Sequence, residues 1–160
     1  MSKMGFRLKW VGVFAACAFG GIAIGVAWAT PGLNAIPTVI AGPVAVGELD
    51  LKGETETHEL ELKTRGQWQS IIVRFHIDPG GHTGWHSHPG PAFVMVKAGT
   101  LTLYYAENPD VGVEYPAGTG WVEEPGRVHI AHNEGDAPVE LDAFLLVPQG
   151  APVRIDEPAP

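Results

Sequence analysis

Two histidines stand one residue apart, at a spacing that could place two metal ligands side by side. His86 and His88 project from the same face of an extended strand, because side chains two residues apart share a face. Neutral imidazole is a common ligand of divalent transition metals. A third ligand must come from another strand, and His129, in an apolar segment, is the candidate. His82, in a glycine-rich turn four residues before His86, is the alternative for a further ligand.

The residues around these histidines resemble the two motifs of the cupin superfamily. The first motif, G-x5-H-x-H-x3,4-E-x6-G, is similar to the stretch from Gly80 to Gly99. The second, G-x5-P-x-G-x2-H-x3-N, is similar to the stretch from Gly118 to Asn133, although its proline comes one residue late. The resemblance implies an all-β fold, a cupin-type β-barrel (double-stranded β-helix or jelly roll). It also implies a metal ion held inside by His86, His88 and His129.

One position departs from the first motif in a way that matters for chemistry. Where the motif has glutamate, this chain has Ala92, or Phe93 in the longer spacing. The remaining three-histidine set is similar to that of cupins such as thiol and diketone dioxygenases, so the resemblance implies Fe(II), with Mn, Zn or Ni as alternatives. The departure also fits a weakened or absent metal site. Glu123 and Glu124 fit a charged turn before Pro125, with a catalytic base as the alternative.

Three classes of function stay open at this point. The first is a metal-dependent, dioxygenase-like oxidoreductase, and the second is a binding or sensing module for a metal or small molecule. The third is a partner-binding domain with a vestigial site. No residue pairs with the histidines as a clear acid or base, so no catalytic residue is assigned. Three neutral imidazoles would leave the charge of a divalent ion uncompensated, so an anionic small-molecule ligand is expected.

The N-terminal residues resemble a targeting signal rather than part of the fold. Residues 1–10 carry three basic residues and no acid, residues 11–29 carry no charge, and the run ends in Ala-Trp-Ala. These are the three parts of a secretory signal, and cleavage after Ala29 would place the protein in the periplasm or outside the cell. The net charge would then change from −8 to −11, because three basic residues leave. The alternative is a retained membrane anchor at residues 11–29, which are just long enough to span a bilayer.

The rest of the chain must supply the strands that carry the histidines. The sequence has 21 glycines and 14 prolines among 160 residues, and its apolar residues alternate with polar ones in short runs between turns. This pattern predicts a sandwich or barrel. The predicted organisation is a linker at residues 30–37, the barrel at 38–148 and a loose proline-rich tail at 149–160. His58, His76 and His132 are expected outside the site.

Composition and the resemblance to cupins also limit the kinds of partner that are expected. The acidic net charge argues against binding to nucleic acid. The single cysteine, Cys17, excludes an intrachain disulfide framework. A homodimer is expected from the resemblance to small cupins.

Overall fold

A computed structural model describes residues 32–160, and the predicted signal segment lies outside these residues. The described part of the chain is built from twelve β-strands. In chain order they are β1 (Leu33–Gly47), β2 (Asp50–Glu54), β3 (Glu59–Lys63), β4 (Trp68–His82), β5 (His86–Ser87), β6 (Ala92–Ala98), β7 (Thr100–Tyr105), β8 (Asn108–Pro116), β9 (Gly120–Glu123), β10 (His129–His132), β11 (Val139–Pro148) and β12 (Ile155–Asp156). Among residues 32–160 there is no helix with the length and hydrophobicity of a membrane span.

Ten of these strands form one antiparallel sheet that curls into a nearly closed barrel, which confirms the predicted fold class. The long strand β4 lies in the middle of this sheet. Strands β1 and β11 pair along most of its length, and β10 pairs with its end at His82. Beyond β11 the sheet continues through β6 to β9. Strand β10 also pairs with β7 and with β5. This last pairing brings the segment of His86 and His88 next to the segment of His129.

The barrel interior is filled by alternate residues of the longest strands. Ile71, Val73 and Ile77 of β4 are buried, and Leu141 and Ala143 of β11 are buried opposite them. The intervening residues face outward, as the two-residue period of a strand requires. Residues 71–77 are thus one of the short alternating runs expected from the sequence.

Three segments that read as loops form strands instead. Residues 33–37 of the predicted linker belong to β1, where backbone pairing with β4 outweighs the local signals of Asn34 and Pro37. Residues 108–110, whose Asn-Pro-Asp composition is typical of a loop tip, begin β8, and the turn lies at residues 106–107. The predicted loose tail contains β12, which pairs with β5 beside the histidines.

Candidate metal centre

The three predicted histidine ligands meet inside one end of the barrel. His86 and His129 are direct partners in the antiparallel pairing of β5 with β10, so their rings share a face, with centroids 4.3 Å apart. His88 follows β5, and its ring centroid lies 4.9 Å from that of His86. All three residues are buried, and one nitrogen from each lies within 4.8 Å of the others. The group could therefore hold a metal ion.

Backbone carbonyls fix the orientation of the three rings. Each Nδ1 faces a carbonyl oxygen, that of Gly84 for His86 at 2.8 Å, that of Val153 for His88 at 2.5 Å and that of Arg127 for His129 at 2.8 Å. A carbonyl only accepts hydrogen bonds, so each Nδ1 carries the proton and each Nε2 keeps its lone pair. Gly84 has a φ of +75°, a backbone conformation that glycine adopts without strain, within the turn that leads into β5.

The Nε2 atom of His129 provides a direct test of whether the site suits a metal ion. This atom is buried and makes no hydrogen bond within the described structure, although a carboxylate oxygen of Glu123 lies 3.3 Å away. Leaving a buried polar atom without a hydrogen bond costs about 1–3 kcal/mol. A metal ion beside this atom would remove that cost, so the donor set fits a divalent ion bound by imidazole.

A carboxylate that the sequence placed in a turn also enters this site. Glu123 is the last residue of β9 and its side chain is only 8% exposed. Its Oε2 lies 3.2 Å from Nε2 of His88, and its Oε1 lies 3.3 Å from Nε2 of His129. The indole Nε1 of Trp121 donates a hydrogen bond of 3.2 Å to Oε1. The charged-turn interpretation is wrong for Glu123, whereas Glu124 is exposed and lies 3.9 Å from Arg127.

Burial and these contacts shift the pKa values of the group in different directions. Burial lowers the pKa of His86 well below its usual value, and the neighbouring His129 and His88 lower it further, so His86 is neutral. Burial alone would raise the pKa of Glu123, but His129 and His88 outweigh it and the pKa lies below the usual range. Burial alone would likewise lower the pKa of His129, but the Glu123 carboxylate raises it. Glu123 is therefore ionised beside the histidines.

A cavity adjoins the histidines inside the barrel. The volume open to the centres of water molecules is about 40 Å³, which is enough for a few water molecules. Most of its wall is apolar, including Val73, Phe75 and Leu141, whereas the wall beside the histidines carries Glu123 and Arg154. The cavity thus combines an apolar body with charged groups at the candidate metal centre.

Residues 153–157, which we term the C-terminal strap, hold the strand of the two neighbouring histidines. Within the strap, β12 pairs with β5, and Glu157 accepts a hydrogen bond of 2.8 Å from the Ser87 hydroxyl. Arg154 donates a hydrogen bond of 2.7 Å to the carbonyl of Thr83. The strap is short and lies between Pro152 and Pro158, a composition that predicts a loose tail from the sequence.

The remaining histidines lie outside the group, as expected. His82 accepts a hydrogen bond from the Gly84 amide at its Nδ1 and stacks on His132, with ring centroids 5.0 Å apart. The alternative that His82 completes the ligand set is therefore not supported by its position. His58 is exposed, and His76 faces Asp78 at 3.2 Å on the outer side.

A barrel with three histidines converging in its interior defines a class of small all-β proteins built around an internal site. The family model described as "Cupin domain" matches residues 73–148, which include all three histidines. Residues 73–148 of this chain therefore form a cupin domain.

Solved structures share the fold at low sequence identity. A cupin-2 domain protein from Rhodospirillum rubrum has a TM-score of 0.54 and 12% identity over 81% of this chain and 69% of that chain. A recombinant oxalate oxidase in complex with glycolate has a TM-score of 0.51 and 21% identity, over 81% of this chain and 57% of its own length. A cupin domain from Bordetella pertussis Tohama I has a TM-score of 0.47 and 23% identity, over 72% of this chain and 94% of that one. No curated protein matches the chain. At these identities the first two likenesses, with TM-scores above 0.5, establish the fold alone.

Proposed function

We propose that this cupin domain binds a divalent transition-metal ion through the Nε2 atoms of His86, His88 and His129. One observation carries the proposal: three buried Nδ1 atoms are each tied to a carbonyl, which leaves three Nε2 lone pairs directed into one space. Such second contacts are typical of metal-ligating histidines.

Metal titration of the chelator-treated protein tests this proposal. We expect one bound ion per chain by isothermal titration calorimetry and by elemental analysis of protein prepared without chelator. His86→Ala, His88→Ala or His129→Ala should each weaken binding at least about 100-fold, because a direct ligand contributes more than an outer contact. His58→Ala is the matched control and should bind as the wild type does. Stoichiometric metal retained by the His86→Ala/His88→Ala double variant would refute the assignment.

The ion we propose is Fe(II), with Mn, Zn and Ni as the competing candidates. Imidazole suits several of these ions, and intrinsic affinity rises from Mn to Ni regardless of the biological metal. Affinity in a test tube therefore does not identify the ion. Elemental analysis of protein purified from its native host, under anaerobic conditions that preserve Fe(II), gives the deciding measurement.

We further propose that the cavity takes a small anionic molecule and that the domain acts as a dioxygenase-like oxidoreductase. A bound divalent ion would supply Lewis acidity and redox chemistry at the histidines. The chain would contribute the apolar walls, which exclude water. The positive charge that favours a carboxylate or thiolate would come from the ion itself, because Arg154 on the cavity wall is already paired with Asp156 at 2.7 Å. Oxygen uptake by Fe(II)-loaded protein with a panel of small carboxylates and thiols tests this step.

The second candidate is a binding or sensing module without turnover. Apart from Glu123, no residue that lines the cavity is assigned as a general acid or base, and Glu123 already contacts two histidines. This observation favours the second candidate. Saturable ligand binding by the metal-loaded protein, without oxygen uptake or product, would select this candidate.

We also propose that the protein is exported and that the signal is removed after Ala29. The basic, apolar and Ala-Trp-Ala parts of residues 1–29 support the proposal. N-terminal sequencing of protein from the native host should begin at Thr30. Intact protein recovered in the membrane fraction would instead support an anchor at residues 11–29.

A further inference from the structure

We propose that Glu123 supplies the carboxylate ligand that the first cupin motif places at position 92, so that the metal centre is completed from the opposite strand. This inference rests on the proposed metal-binding function. It concerns a residue that lies outside the linear position at which the motif has its glutamate.

The register of the sheet makes this exchange possible. Ala92 of β6 and Glu123 of β9 are direct partners in an antiparallel pair. Residues directly opposite each other project from the same face, with Cβ atoms about 4.5–5.5 Å apart. Both are buried, Ala92 completely. The small alanine side chain leaves space on the inner face where a glutamate at position 92 would lie.

The contacts of Glu123 are those of a ligand to the same ion. Its two carboxylate oxygens lie 3.2 Å and 3.3 Å from the Nε2 atoms of His88 and His129, the atoms assigned to the metal. Trp121 orients the carboxylate through its indole N–H. A buried carboxylate is costly unless a positive charge compensates it, and three neutral imidazoles leave the ion's charge uncompensated. A carboxylate ligand beside the three imidazoles would partly neutralise the ion, and the ion would in turn compensate the buried carboxylate.

The competing interpretation is that Glu123 serves only as a counter-ion to a protonated histidine. In that case removing its charge would lower the stability of the metal-free protein. Metal affinity would stay unchanged or rise, because the ion must displace the histidine proton that Glu123 stabilises. As a ligand, the same change must weaken metal binding. The two interpretations therefore separate on the dissociation constant of the metal.

The decisive experiment compares metal affinity across a set of variants of the whole chain. Co(II) is titrated into chelator-treated protein, followed by calorimetry and by visible absorption, which reports the ligand set. Glu123→Gln should weaken binding at least about 10-fold and change the Co(II) spectrum. The neighbouring exposed residue supplies the control: Glu124→Gln should match the wild type in both readouts.

Moving the carboxylate back across the strand pair gives the second arm. The Ala92→Glu/Glu123→Ala double variant should recover most of the affinity lost in Glu123→Ala, because it returns a carboxylate to the same face. Circular dichroism of the metal-free variants checks that each one folds. Glu123→Gln with wild-type affinity and an unchanged spectrum, while His86→Ala loses binding, would overturn this inference and leave the proposed function standing. Absence of Co(II) binding by the wild type would overturn both.

Discussion

The C-terminal strap should determine metal affinity although it provides no metal ligand. A chain ending at Pro152 would lack the Val153 carbonyl that accepts the Nδ1 proton of His88 at 2.5 Å. It would also lack the pairing of β12 with β5 and the hydrogen bond from Ser87 to Glu157. Without these contacts the His88 ring is free to rotate and to exchange its tautomer.

The size of the effect follows from the lost contacts. An outer partner of a metal-ligating histidine is worth about 10–100-fold in metal affinity, which corresponds to about 1.4–2.8 kcal/mol. Each lost hydrogen bond also contributes about 1 kcal/mol to folding. The truncated chain should therefore bind metal about 10–100-fold more weakly and melt at a lower temperature when metal-free.

Calorimetric metal titration and thermal melts of two truncated chains provide the assay. A chain ending at Glu157 is the matched control, because residues 158–160 are exposed and all strap contacts remain. Ser87→Ala separates the two effects: it weakens the anchoring of the strap but keeps the Val153 carbonyl, so its metal affinity should fall less than that of the truncation. Equal metal affinity in the chains ending at Pro152 and Glu157 would refute the reasoning.

Three further predictions concern the fold and its assembly. Leu103→Ala should lower the free energy of unfolding by about 2–5 kcal/mol in urea titrations, because Leu103 is fully buried, whereas the exposed Leu60→Ala should have little effect. The Arg74 hydrogen bonds hold the pKa of Asp142 below its usual value. Their stabilisation is present above the unfolded pKa of about 3.9 and is lost as pH falls through the lower folded pKa. Asp142→Asn should therefore lower the melting temperature at pH 7, and this difference should shrink only as pH falls below about 4. Light scattering should show a homodimer that Ile36→Lys disrupts, because within residues 32–160 β1 pairs with β4 alone and Ile36 is 59% exposed.

The barrel and the histidine group could be predicted from the sequence because both have local sequence patterns. Alternation with a two-residue period fixes which side of a strand faces the core, as Ile71, Val73 and Ile77 show. The spacing of His86 and His88 likewise fixes their relative direction. His129 followed from a second motif rather than from any local rule, and its pairing with His86 is visible only in the sheet.

Glu123 and the C-terminal strap could not be predicted in the same way. Glu123 precedes Glu124, Pro125 and Gly126, a composition typical of an exposed turn. Its burial depends on β6 and on the two histidines, which are distant in sequence. The alternation of Trp121 with Glu123 was the one local signal that both side chains share a face, and both line the cavity. The strap is short and lies between Pro152 and Pro158, so only its long-range pairing with β5 reveals its role.

These two failures have a common physical cause. A motif specifies ligands by their positions along one strand, whereas a metal ion responds only to where the donor atoms lie in space. In an antiparallel sheet, paired residues such as Ala92 and Glu123 project from one face, so either strand could provide the same donor. The same holds for the carbonyl that orients His88, which comes from a segment 65 residues away. A missing motif residue in a barrel is therefore evidence against a ligand only after its cross-strand partner has been checked.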